Sequence, residues 1–122
     1  MSAETALYTR LTTHSGTAAL ISTRCYPMLM PQNPTLPAVV YQRVSSSGQQ
    51  GTTDRRALRF QISSWATTYA GAVALAVQVR AALEDYSNVA IRLGRIVNQI
   101  DDFDEATELQ RVILDVFITV NE

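Results

Sequence analysis

The chain has 122 residues, 47% apolar and 17% charged, with a formal net charge of −1. That length suits a single domain over residues 1–122, and the near-neutral balance argues against general nucleic-acid affinity. The longest uninterrupted apolar run, Ala72 to Val77, is too short to cross a bilayer, the start from Met1 to Leu11 lacks the basic and apolar stretches of a signal peptide, and Cys25, the one cysteine, allows no internal disulfide.

In chain order, Ser2 is placed to cap a first helix reaching about His14, with Ala3, Ala6, Leu7, Arg10 and Leu11 at helical spacing and Gly16 as a stop. Ala18 to Ile21 adds one short turn. Pro27, Pro31, Pro34 and Pro37 then exclude a helix interior or central strand, leaving an extended connection with a brief edge strand near Arg24 to Tyr26. Ala38 to Val44 is β-branched and aromatic, the composition of a strand. The apolar-free stretch Ser45-Ser46-Ser47-Gly48-Gln49-Gln50-Gly51-Thr52-Thr53-Asp54 reads as a long mobile hairpin loop suited to docking. Arg55 to Trp65 alternates, with Leu58, Phe60 and Ile62 on one face and Arg59, Gln61 and Ser63 on the other.

Thr67 to Tyr86 is the strongest helix, with Tyr69, Ala72, Val73, Ala76, Val79 and Leu83 on an apolar face. Val89, Ile91 and Leu93 alternate, the phase then slips to Ile96, Asn98 and Ile100, and Gly94 before the slip suggests a bulge. Asp101 to Glu108 reads as an acidic turn. Val112, Leu114, Val116, Ile118 and Val120 line one face of a last strand. Its second face carries Ile113 and Phe117, more apolar than a solvated face calls for. The expected fold is α+β: a mainly antiparallel four- to five-stranded sheet with two helices packed on one side, in the order α-(β)-β-β-α-β-β.

Residues 1–60 hold six Arg and two acids, a balance of +4, whereas residues 61–122 hold four Arg and nine acids, a balance of −5. Lys is absent. Arg favours bidentate pairing at interfaces, so the split fits a subunit whose basic and acidic parts meet those of its neighbours, and equally fits compositional drift in a GC-rich genome. The interface candidates are Arg55, Arg56 and Arg59 on the basic side, Asp101, Asp102, Asp104 and Glu105 on the acidic side, and Ile113 and Phe117 on the apolar second face. No catalytic constellation emerges. His14 has no partner by spacing and is placed as a helix-end or capping residue; Cys25 has no neighbouring His or Lys to activate it. The acidic cluster lacks the Gly that a Ca²⁺ loop needs. Neither a cofactor nor a metal site is expected.

Several stretches, taken together and in order, resemble the tail-completion proteins (tail terminators, tail-to-head joining proteins) of long-tailed phages. They are Leu7-Tyr8-Thr9-Arg10-Leu11, Arg24-Cys25-Tyr26-Pro27, Pro31-Gln32, Leu36-Pro37-Ala38-Val39-Val40-Tyr41-Gln42, Arg59 with Gln61, Trp65-Ala66-Thr67-Thr68-Tyr69-Ala70, and Val79-Arg80-Ala81-Ala82-Leu83. The resemblance implies a non-enzymatic virion protein, assembled in the host cytoplasm. It implies a homo-oligomeric ring, usually a hexamer, that caps the head-proximal end of the tail tube, stops its growth and joins it to the head. Implied partners are further copies of itself, the major tail tube protein and a head-side neck or stopper protein, with no membrane; DNA passes the lumen without specific binding. The alternatives are another head–tail connector, such as an adaptor or stopper, and a small α+β ligand-binding protein or enzyme.

Overall fold

In the computed structural model, which describes residues 3–29, 35–48, 55–84, 86, 91–106 and 108–121, the two cleanly alternating segments lie side by side in the middle of one sheet. They form β3 (Arg55–Ala66) and β5 (Leu109–Asn121). Their antiparallel register sets Leu58 opposite Ile118, Phe60 opposite Val116 and Ile62 opposite Leu114. Opposed residues share a face, so six large apolar side chains form one block, and all six are buried. β2 (Ala38–Gly48) pairs antiparallel with β3, and β4 (Ile91–Asp104) antiparallel with β5. β1 (Cys25–Pro27) adds to β2 in parallel, giving the order β1-β2-β3-β5-β4.

Three helices cover the block: α1 (Ala3–Thr13), α2 (Ser15–Ile21) and α3 (Tyr69–Leu83). Leu7 and Leu11 of α1, Ile21 of α2, and Leu75 and Val79 of α3 join Phe60 and Val116 in one buried cluster. Arg10 ties α1 to the end of α3, its Nε donating to the Ala82 carbonyl at 2.8 Å and its guanidinium lying 3.8 Å from the Tyr86 ring centroid. All three helices contribute to the core on the same side; the other face carries no helix among the described residues.

The α+β class and the mainly antiparallel sheet are as expected. Among the described residues the helices number three instead of two, because the short turn foreseen at Ala18 begins at Ser15. His14 starts it: its Nδ1 accepts from the Thr17 backbone N–H at 3.3 Å, an N-cap that satisfies a helix-end donor. The His14 pKa is lowered, first by burial and then by the Arg10 charge. On α3, Thr68 caps the start by accepting from Gly71 N–H at 3.0 Å. Tyr69, expected on the apolar face, is half exposed, and Leu75 and Ala82 are buried beside Val79 and Leu83.

Two strands run further than the apolar pattern indicates. β2 has a register shift between Arg43 and Ser45 and then continues through Ser46, Ser47 and Gly48 opposite Leu58, Ala57 and Arg56. The expected loop therefore overlaps this strand at 45–48, and residues 49–54 lie outside the described residues. β4 likewise includes Asp101 to Asp104, opposite Val112 to Leu109, so the acidic turn shrinks to its last residues, with Glu108 at φ 57°. In both cases a backbone ladder continues where apolar alternation has stopped, since each peptide brings its own donor and acceptor.

Gly94 marks the closest approach of β4 to the helical layer. It lies between the two register shifts of that strand, at Ile91/Leu93 and Ile96/Asn98. Its N–H donates to the Tyr86 carbonyl at 2.9 Å, and a Cβ there would stand 2.3 Å from the Leu83 carbonyl oxygen. Gly94→Ala should therefore cost roughly 1–3 kcal/mol, because backbone must shift on one side or the other. A lower urea midpoint at unchanged m-value would report it; a variant as stable as the parent would show that β4 stands clear of the helix end.

Cys25 is buried in the core, and burial pushes its thiol up to about 12 from an ordinary value of 9.0. The neutral thiol's contribution to stability is thus complete below pH 9.0 and is lost as pH rises through that window toward 12. Labelling of the native protein by a disulfide reagent at pH 8 should be slow and follow unfolding; fast stoichiometric labelling would contradict the buried position.

Candidate assembly surface

The face opposite the helices can be read in rows from the strand register. One row runs Trp65, Arg111, Asp102; the next Val40, Ser63, Ile113, Ile100; the next Gln42, Gln61, Asp115, Asn98; and the next Arg59, Phe117, Arg95. Polar and apolar rows interleave. Arg59 Nη2 reaches diagonally to Asp115 Oδ2 at 3.0 Å, with 41% of the Arg side chain and 12% of the Asp side chain exposed. Arg111 Nη2 and Nε stand 2.7 and 2.8 Å from Asp102 Oδ2, and the same guanidinium lies 5.0 Å from the Trp65 ring centroid. Ile113, between Ser63 and Ile100 in its row, is only 6% exposed on a face with no helix over it among the described residues. Beside Trp65 and Arg111 a shallow depression of about 180 Å³ opens toward Met28 and Leu29.

The expected interface residues are distributed as follows. Ile113 and Phe117 do share the helix-free face, Ile113 closed over within the subunit and Phe117 37% exposed. Arg59 is held by Asp115 and Asp102 by Arg111. Asp101 accepts from the Tyr69 hydroxyl, and Asp104 accepts from Ala106 N–H at 3.1 Å. Glu105 is exposed in the turn. Arg55 and Arg56 stand at the opposite end of β3, facing Asn121 and Val120 across the ladder; their side chains lie outside the described residues. Arg56 and Asp101 are separated by the run of β5 from Val120 to Val112, roughly 25 Å along the sheet. Within one subunit the basic and acidic ends are therefore kept apart.

Sequence reasoning passed over Trp65, Arg111 and Asp115. The signal was the same alternation that revealed the core, since Arg111, Ile113, Asp115 and Phe117 are the odd positions of β5. An acid in an otherwise apolar strand calls for a buried partner, and Arg59 is that partner. Among the described residues no group of three or more His, Cys, Asp or Glu side chains is arranged to hold a metal, and no described helix is long and apolar enough to cross a membrane.

A family model described as tail completion protein gp17 matches residues 5–121. The chain belongs to this tail completion family. It is accordingly a phage tail structural protein. Among solved structures, a chain from the virion of a native gene transfer agent particle matches with a TM-score of 0.75 and 22% identity, covering 99% of this chain and 96% of that one. At that identity the likeness is one of fold, and it extends over the whole sheet and its helices. Comparison with curated proteins gave no match.

In this tail completion protein the Arg59–Asp115 pair holds the helix-free face in order. Arg59→Ala leaves a nearly buried carboxylate without its cation and should cost roughly 1–3 kcal/mol, whereas Arg59→Lys should recover part of the loss. Urea unfolding of the two variants checks this; identical midpoints for parent and alanine variant would remove the pair from the account.

Proposed function

We propose that the protein forms a closed homo-oligomeric ring, a hexamer, at the head-proximal end of the tail tube, where it ends tube polymerisation and joins the tail to the head. Membership of the tail completion family is the observation that carries this reading. Its partners are then neighbouring copies, the major tail tube protein on one side and a head-side neck or stopper protein on the other, with DNA passing through the lumen without specific binding. The chain acts as one unit over 1–122, first in the host cytoplasm during assembly and then at the head–tail joint of the virion.

The separation of charge supports the same reading. With Arg55 and Arg56 at one end of the sheet and Asp101 to Glu105 at the other, the two ends can meet oppositely charged groups of an adjacent subunit or the tube; Arg59 and Asp102, held within the subunit by Asp115 and Arg111, would do so by exchanging those partners. Ser45 to Asp54, of which Ser45 to Gly48 are described and pair with β3 down to Arg56, is proposed as the segment that engages on docking.

Native mass spectrometry at micromolar concentration, with image averages of tail ends, should show a closed ring. Reversal of Arg55 and Arg56 to Glu should weaken ring formation or docking while leaving the melting temperature unchanged, and added salt should act in the same direction. Monomers alone in both settings would defeat the ring.

A further inference from the structure

We propose that neighbouring copies join edge to edge, the outer edge of β4 in one copy pairing antiparallel with the β1–β2 edge of the next. This rests on the ring reading and specifies the contact that builds it.

Both edges are open among the described residues. β4 pairs only with β5, and β1 covers β2 only from Val39 to Tyr41, leaving Gln42 to Gly48 with one ladder partner. Their directions are compatible. Three antiparallel pairings separate β2 from β4, so these strands run oppositely, and a second copy placed beside the first in the same orientation meets it with an antiparallel ladder. Such a contact is heterologous and continues from copy to copy until rotation closes it.

The apolar surface is concentrated where this contact needs it. Among the described residues, six of the nine exposed large apolar ones lie on these two edges: Met28, Leu29 and Val44 on one, Val97, Ile100 and Phe103 on the other. Val44 is the unpaired residue of the β2 shift and Val97 that of the second β4 shift, and they lie on either side of the row through Phe60 and Val116. These two bulges therefore fall within roughly one residue of each other along the two edges. A bulge bends and twists its strand and so discourages pairing with a flat, generic partner.

Charge is complementary at one end of the contact. The β1–β2 edge carries Arg24, and Arg43 paired with Glu4 within the subunit; β4 carries Arg92 and Arg95 in its first half and Asp101, Asp102 and Asp104 in its last. Arg24 precedes Cys25, which is opposite Val39. It thus lies level with the row that ends at Asp102. The cation of one copy meets the acidic half of β4 in the next.

Cysteine cross-linking tests the contact. Subunits carrying Val97→Cys are mixed with subunits carrying Gln42→Cys, Val44→Cys or Ser46→Cys and oxidised; Cys25 is buried and stays silent. Disulfide-linked heterodimers should form, peaking at one β2 position, with less than a tenth as much from either partner alone. Val97→Lys should raise the concentration for half-assembly at least tenfold without lowering the melting temperature. Rings by native mass spectrometry with no cross-link at any position, and with Val97→Lys assembling like the parent, would overturn edge pairing and leave the ring intact. Monomers only from the parent protein, in solution and at tail ends, would overturn both.

Discussion

The register between β3 and β5 is the constraint on which the rest depends. With Phe60 opposite Val116 and Leu58 and Ile62 opposite Ile118 and Leu114, the largest buried apolar block of the pair faces the helices. A slip of one residue would send that block to the open side and bring Arg59, Gln61 and Asp115 into the core. The cost of burying those groups without partners far exceeds that of any single substitution considered above. Once the register is set, the helices have one surface to cover, and the opposite face is left to chemistry that need not hold the fold together.

Leu7, Leu11, Leu75 and Val79 reach that one surface from two helices far apart in sequence. Among the described residues the outer edge of β4 and the Gln42–Gly48 stretch of β2 have no further strand beside them. A monomeric domain usually blunts such edges with short strands, charges or a covering loop. Here one edge is a strand of 14 residues with apolar side chains on it, which suits a subunit that lives inside an assembly.

How much of this was legible in the sequence follows the physics of each element. Strands with one continuous apolar face, such as Leu58 to Ile62 and Val112 to Ile118, were plain, because burial of one face imposes period two. The helix at Tyr69–Leu83 was plain for the corresponding reason. The extra length of β2 and β4 was not, since Ser45 to Gly48 and Asp101 to Asp104 are held by main-chain ladders that leave no mark on side-chain pattern. The short helix at Ser15 was hidden because its start depends on a His14 cap, a residue type outside the preferred capping set. The phase slip near Gly94 correctly announced an irregular β4, though the shifts flank the glycine and the glycine itself answers to the Leu83 carbonyl. Of the surface, Phe117 could be picked out as apolar in an exposed phase. The Arg59–Asp115 and Arg111–Asp102 pairs could not, because pairing across strands requires the register first.

The same register decides where charge can act. β3 and β4 both run from the Arg55 end of the sheet toward the acidic turn, so every copy in a cyclic assembly presents these ends in the same sense. If copies meet along their sheet edges, Arg55 and Arg56 gather on one rim and Asp101 to Glu108 on the other, and the ring acquires two electrostatically distinct faces. Each exposed ion pair contributes little alone, but a full circle of like charges produces a field that attracts one partner surface and repels the other. In the proposed ring between tube and neck that asymmetry would be needed, because apolar edges would hold the subunits together without telling the two sides apart.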